Sequence, residues 1–362
     1  MCYMSVSKKS IKSRDGKIEV KYDEVTHVCI AHNYFPLLQY ILLMPDEIVF
    51  HHTYYFLIDY LPVSLRNMLP CSSYVDGKTT FFREVDKRIH KLLFRYLKYI
   101  QFPFLRTAEI YAYDTPYFNI LIGRREYNLL ADAPNWLTLN MQEHSTEYIR
   151  QLKRSASFLG KVQRMVYGDI FVDYFGNNKN CKTIYLTEEN VSPVLEGKRV
   201  IVNSLQELWD SSTESKKCFV KNLFGISNED IDLLNSRPIV FFSQPVIGDC
   251  GLTEDECVDV HRKIFNNYNH SQLIVKRHPR DKFNFHKYFP DIEVYSKPVN
   301  SQLLGLLGVL PVRMVTICSS AIESMPETIE CDFYGTSIHP KIKKYLGDKY
   351  LPKRKVNFCN AK

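Results

Sequence analysis

The sequence lacks the marks of several common protein classes. Among its 362 residues, no apolar run approaches the roughly 20 residues that a membrane-spanning helix needs. The longest candidate, YFPLLQYILLMP at 34–45, is short and holds a Gln and two prolines. The opening MCYMSVSKKSIKSRDGK has no apolar core of the kind a secretory signal requires. These absences set the expectation of a cytoplasmic protein, at most peripheral at the cytoplasmic membrane face. No Gly-x-Gly-x-x-Gly, Walker loop or Gly-x-Ser-x-Gly occurs, which argues against dinucleotide redox chemistry, P-loop hydrolysis and the common hydrolase triads. Cys-x-x-Cys is also missing: of ten cysteines, Cys250 and Cys257 are the nearest pair. Most sit singly in apolar strings such as HVCIAH and VTICSS, the pattern of free, buried thiols rather than disulfides or a zinc site. Asp230-Ile231-Asp232 matches a metal-binding Asp-x-Asp, but it lies in the acidic helix start SNEDIDLLN. Neither a metal nor a cofactor is expected.

What remains is a globular α/β chain. Hydrophobic residues make up 45% and charged residues 24%, enough apolar matter for real cores. The net charge of +7 favours anionic partners, yet the basic residues are scattered rather than gathered in one stripe, so nucleic acid is not expected. VTHVCIAHN reads as a strand, YFPLLQYILLM as a helix and DEIVFHH as a second strand. Residues 79–99 place Phe82, Val85, Ile89, Leu92, Leu93 and Leu97 at helical spacing. AEIYAYD, EYNLLADAP and TIYLTEEN continue as strands, the last (183–190) closing the first half. Residues 191–236 read as helices without a strong strand. A second alternation then runs through RPIVFFSQP, SQLIVKRHP, IEVYS, RMVTICSS and DFYG as strands, with helices over EDECVDVHRKIFNNY and NSQLLGLLGVL. The expected organisation is a first Rossmann-like domain (1–190), a helical connecting segment (191–236), a second Rossmann-like domain (237–345) and a basic, solvated tail (346–362).

Three strands of the second half end in polar residues: Ser243 and Gln244, then Lys276, Arg277 and His278, then Ser319 and Ser320. In a parallel sheet such ends share one edge, where ligands bind. SSAIESM opens a helix, whose first N–H groups suit an anion. His278 and the Ser pair are therefore expected to converge on a phosphate, with Lys276 or Arg277 assisting. A Ser before a helix is also an ordinary N-cap. The second His-Pro, His339-Pro340, needs only Pro at a helix start as explanation. In the first half Asp132 ends a strand before Ala-Pro-Asn-Trp, fitting either a turn residue or a general base. Asp114 has a similar place and reads as a helix N-cap, with sugar contact as the alternative. His32 and Asn33 follow the first strand, where they could contact a sugar or nucleotide.

In this order, YAYDTPYFNILIG, NLLADAPNW, KTIYLTEEN, IVFFSQP, LIVKRHP and VTICSSA resemble the bacterial lipooligosaccharide and capsule sialyltransferases of glycosyltransferase family 52, from about residue 25 to 345. The resemblance implies a GT-B fold, two Rossmann-like domains facing a central cleft. It also implies a CMP-sialic acid donor, a galactose-terminated or lipid-linked glycan acceptor, and inverting transfer without an obligatory metal. His278 falls on the family's His-Pro motif and Ser319-Ser320 on its Ser pair. The acidic motif, usually two acids and a Gly, is reduced here to Ala131-Asp132-Ala133. Members pair as dimers, so a homodimer is an expectation too. A transferase using another nucleotide sugar and an inactive carbohydrate-binding homologue remain as alternatives.

Overall fold

The computed structural model describes residues 22–57, 61, 63–74, 97–114, 119–297, 299–347, 352 and 354–359. The chain forms two compact units, Met1–Leu223 and Phe224–Lys362. In the first, seven described strands form one sheet: β1 His27–Ala31, β2 Thr53–Leu57, β3 Ser72–Tyr74, β4 Glu109–Ala112, β5 Tyr127–Leu130, β6 Cys181–Leu186 and β7 Arg199–Val202. Their order is β3-β2-β1-β4-β5-β6-β7, with parallel pairing throughout. The chain works outward from β1 in one direction, then returns to build the other side from β4. The β1/β4 boundary is thus the topological switch point, the position beyond whose carboxyl ends sheets of this kind bind ligands. β2 and β5 are buried at every residue, as a sheet covered on both faces requires.

Two expectations fail here for local reasons. The second strand does not lie in DEIVFHH: Ile48–His52 is a π-helical turn, and β2 begins at Thr53. Pro45 is followed by two acids, a combination suited to the first turn of a helix. Its carbonyl accepts from Val49 N at 3.0 Å, while Thr53 Oγ1 closes the segment onto Ile48 O at 2.7 Å. Nor is 183–190 the last strand, because Arg199–Val202 pairs alongside it from Thr183↔Arg199 to Leu186↔Val202. That edge strand is partly exposed along its whole length, so no buried pattern announces it. Of the helix expected over 79–99, residues 79–96 lie outside the described residues; 97–101 are helical. Residues 1–21 also lie outside them.

The second unit repeats the winding. Strands β8 Ile239–Phe242, β9 Leu273–Lys276, β10 Glu293–Tyr295, β11 Arg313–Thr316, β12 Glu330–Phe333 and β13 Asn357–Phe358 lie in the order β10-β9-β8-β11-β12-β13, all parallel. Its switch point lies between β8 and β11. The helix Glu254–Phe265 covers one face, opened by a Thr253–Glu256 capping box. Fully buried His261 on that helix stacks on Phe283 and meets Phe241 edge-on. Burial holds its imidazole down to about 4, so it packs as a neutral ring. The second His-Pro behaves as expected, His339 capping and Pro340 opening the helix Pro340–Leu346. Among the described residues all nine cysteines are free, and five are buried.

Within the basic tail, the described residues 354–359 are docked on the sheet, where a solvated end was expected. β13 adds a strand to β12, and Arg354 is buried beneath it. The Arg354 guanidinium donates to the carbonyls of Ile322, Met325, Pro326 and Ile329 at 2.6–3.0 Å. These four carbonyls belong to the turn that leaves the Ser319-Ser320 strand end. Arg354→Met leaves them buried without donors, at a cost of about 2–4 kcal/mol. Urea unfolding should show that loss as a lowered midpoint with an unchanged slope.

Candidate functional site

The second unit gathers its candidates at the carboxyl ends of β8, β9 and β11. Ser243 follows β8 and is committed to the scaffold. Its hydroxyl donates to Asp281 Oδ2 at 2.6 Å and accepts from His278 N at 3.0 Å. Asp281 is buried, takes Phe283 N at 3.0 Å with its other oxygen, and has its carboxyl pushed up by burial. This Ser–Asp clamp fixes the turn that presents His278, so Ser243 positions the imidazole where sequence reading had it as a phosphate ligand. His278 Nδ1 accepts from Arg280 N at 3.1 Å. A neutral ring so held carries its proton on Nε2 and offers it as a donor. Burial first, then the charges of Arg280 and Lys276, hold its pKa down to about 4; Asp249 opposes them.

Of Lys276 and Arg277, one of which was expected to assist at the phosphate, Lys276 is buried and donates to the carbonyls of Arg277 at 3.0 Å and Lys297 at 3.2 Å. Burial lowers its pKa to about 7, helped by Arg277. Arg277 instead lines an open cavity of about 280 Å³ with Lys282, Asn284 and His286. On β11, Thr316 Oγ1 donates to Phe242 O at 3.1 Å across the switch point and accepts from Ser319 N at 3.1 Å. Ser319 Oγ accepts from Ala321 N at 3.2 Å, which leaves its hydroxyl proton for another acceptor. Ser320 opens a turn of 3-10 helix, Ser320–Ser324, rather than a long helix. Any anion here depends on side chains and local N–H groups more than on a macrodipole. Gln244 Oε1 lies 3.9 Å from Cys318 Sγ across the same boundary.

Sequence reading missed Asp249. It lies in the short helix Val246–Cys250 after β8, pairs with Arg280 Nη1 at 2.8 Å, and is close enough to bias His278 electrostatically. The signal was Gly248-Asp249-Cys250-Gly251, an acid and glycine directly beyond the switch-point strand. Asp230, by contrast, is structural: it completes the capping box of Asn228–Asn235 and pairs with Lys297 at 2.5 Å.

The first unit assembles a second cluster at its own switch point. Asn33 caps the helix Tyr34–Leu43 by accepting from Phe35 N at 2.8 Å, and its amide nitrogen donates to Asp132 Oδ1. His32 Nε2 meets the same oxygen at 3.0 Å. Both contacts fall on Oδ1, so the other carboxylate oxygen is committed to neither. Gln39 holds the segment in place, accepting from Ala131 N at 2.8 Å and donating to Tyr185 O at 3.1 Å. The His32 ring stacks on Tyr113 at 4.2 Å. Tyr113 packs in turn against Trp136 at 5.2 Å and Phe175 at 5.5 Å. Burial, then the Asp132 charge, keeps the Tyr113 phenol protonated. His32 Nδ1 is buried and finds no hydrogen-bond partner among the described residues.

Asp114 belongs beneath this cluster, not in it. It is wholly buried; its Oδ2 accepts from Tyr127 OH and, at 3.0 Å, from Gly176 N. Burial raises its carboxyl to about 7 against those bonds. The helix it was expected to cap spans Asn119–Ile122, and residues 115–118 lie outside the described ones. Its visible role is to pin the turn carrying Phe175, which has a positive φ of 56°.

Comparison with known proteins agrees with this architecture. The chain is similar to a sialyltransferase of Photobacterium damsela (TM-score 0.54, 15% identity, 92% of this chain and 81% of that one). It is similar as well to an alpha/beta-galactoside alpha-2,3-sialyltransferase of Photobacterium phosphoreum (0.53, 13%, 92% and 98%). A third is a Photobacterium 2,6-sialyltransferase solved with CMP and lactose (0.53, 10%, 92% and 78%). At these identities the likeness establishes the fold, which is GT-B. An uncharacterized protein of Haemophilus influenzae is 38% identical over 175 residues, 48% of this chain and 56% of that protein. The chain therefore spans about half the length of the curated relative it matches. The model of glycosyltransferase family 52 matches residues 139–342, more than half of the chain, and the chain belongs to that family.

Proposed function

We propose that this transferase moves sialic acid from CMP-sialic acid to a hydroxyl of a terminal galactoside on a bacterial surface glycan, with inversion and without a metal. The observation that carries the reading is His278: a neutral imidazole, fixed through Nδ1 and the Ser243–Asp281 clamp, at the strand ends that also bear Ser319. The acceptor oxygen attacks the anomeric carbon, the bond from that carbon to the phosphate oxygen breaks, and the electron pair leaves with CMP. His278 Nε2–H and the Ser319 hydroxyl would meet the charge growing on that phosphate, so they bind the transition state better than the ground state. Asp132 would take the acceptor proton. Phe175, part-exposed and held against buried Tyr113 and Trp136, would offer its ring to the apolar face of a sugar. That a neighbour of this fold is solved with CMP and lactose supports the choice of donor and acceptor classes. Ser320, Gln244 and Arg277 are further donor-side candidates; His32 and Asn33 are acceptor-side ones.

A second reading changes only the base. Asp249 lies near His278 in the same unit, and its electrostatic effect on that ring favours it. Nucleotide choice is tested directly by thermal shift. CMP near a hundred times its Kd should stabilise the protein by about 2.7 kcal/mol, and UDP should do markedly less. A larger shift with UDP would redirect the reading to another nucleotide sugar. No shift with either, and no donor hydrolysis, would leave an inactive sugar-binding homologue.

A further inference from the structure

Among the described residues, Phe175 is the only one besides glycine with a positive φ, at 56°. Gly176 follows at 79°, and Asn177 N donates to Tyr174 O at 3.3 Å. Two positive φ values inside such a hydrogen bond are the sign pattern of a type I′ turn. Its central positions ordinarily take Asn-Gly or Gly-Gly, because a Cβ crowds the neighbouring carbonyl there. Gly176 is required for a further reason: a Cβ on it would lie 2.8 Å from Leu129 Cδ2. Phe175 breaks the rule that Gly176 obeys.

A second unfavourable feature sits in the same corner. Asp114 lies beneath the turn with zero exposure, accepting from Gly176 N at 3.0 Å and also from the Phe175 N–H. A carboxyl is costly to bury, and a bulky residue is costly at positive φ. Backbone strain of this kind persists where the surroundings over-determine it, and it gathers at functional sites. What the corner presents is one ring. Phe175 is part-exposed, whereas Tyr113, Trp136 and Tyr174 around it are buried. Its ring stacks on Tyr113 at 5.5 Å, and Tyr113 in turn stacks on His32 and feels the Asp132 charge. A single side chain thus links the presented ring to the Asp132 cluster.

We infer that Phe175 selects the configuration of the acceptor sugar, with Asp114 as the positioning residue that holds its turn. This rests on the acceptor reading given above and names its specificity determinant. The chemistry favours a galacto-configured sugar, whose axial O4 leaves the hydrogens of C3, C4 and C5 on one face, a patch suited to an aromatic ring. An equatorial O4, as in a gluco-configured sugar, puts the C4 hydrogen on the other face and breaks that patch.

The test measures transfer by the full chain from CMP-sialic acid to methyl β-galactoside and to methyl β-glucoside. In F175A, KM for the galactoside should rise about tenfold with kcat little changed, and the galacto preference should shrink by a similar factor. F175Y, which keeps the ring, should retain both values. F175G should lose the same affinity yet melt at a higher temperature than F175A, because glycine accepts the positive φ that alanine resists. D114A should raise the same KM and add nothing to it in D114A/F175A. D114N, which keeps an oxygen for Gly176 N–H, should restore it. Galactoside KM and preference left intact in F175A would overturn the inference, as would equal midpoints in F175G and F175A. A KM that D114A raises further in the double variant would remove Asp114 from its positioning role. A wild-type chain inert on both sugars would overturn the acceptor reading itself, and the inference with it.

Discussion

His278→Ala is expected to lower kcat for transfer by about a hundredfold to a thousandfold, the loss typical of removing one preorganised donor from a developing oxyanion. The geometry makes the donor role specific. With Nδ1 occupied by Arg280 N–H, only Nε2 remains to meet a phosphate, and His278→Gln, which keeps an N–H donor, should recover part of the rate. A variant with full activity would exclude His278 from the chemistry. The same ring makes a checkable contribution to stability. Its folded pKa, about 4, lies below the ordinary 6.5, so above about pH 6.5 the ring is neutral in both states and adds no pH dependence. As pH falls from there toward 4, the unfolded chain gains a proton that the native ring refuses, and stability drops. His278→Ala should remove that part of the slope, measured as urea midpoints between about pH 4.5 and 7.5.

The strand ends that carry this candidate site could be read from sequence because parallel strands bury both faces. LIVKRHP and VTICSS are apolar runs cut off by polar residues, and the cut marks the carboxyl edge where ligands bind. What lay beyond reading was the division of labour at that edge. Ser243, Lys276 and His278 all follow buried strands, yet one clamps, one is buried on carbonyls and one is presented. That depends on Asp281, three residues past His278 in sequence, turning back to meet Ser243 at 2.6 Å. Asp114 and Asp132 diverge in the same way: each follows a strand of one sheet, but Asp114 has zero exposure and Asp132 remains partly open.

Elements failed where a local pattern competed with a tertiary one. IVFHH is as β-branched and aromatic as a strand should be, but Pro45 and the acids after it favoured a helical turn. The strand at Arg199 is a short, partly exposed Arg-Val-Ile-Val, and the docked tail is rich in charge with little apolar periodicity. Their places come from backbone pairing along β6 and β12 and from one guanidinium satisfying four carbonyls. Such features are set by where a distant backbone needs a partner, which no short window of sequence contains.

Asp132→Asn should lower kcat by about a hundredfold to ten-thousandfold, the range of a general base, with little change in KM for the donor. Asn keeps the shape and still accepts at Oδ1 from His32 and Asn33, so the loss reports the missing proton acceptor rather than a collapsed site. His32 adds a finer expectation. It shares Oδ1 with Asn33 and is stacked on Tyr113, so it fixes the carboxylate's orientation and does not act alone. His32→Ala should therefore cost less than Asp132→Asn, and the double variant should be no worse than Asp132→Asn, the non-additivity of residues working as a unit. Asp249→Asn provides the contrast. Its ion pair with Arg280 is partly exposed, so with Asp132 as base its removal should cost no more than about tenfold. A larger loss in Asp249→Asn than in Asp132→Asn would transfer the base to the carboxylate beside His278 and leave Asp132 as a sugar contact.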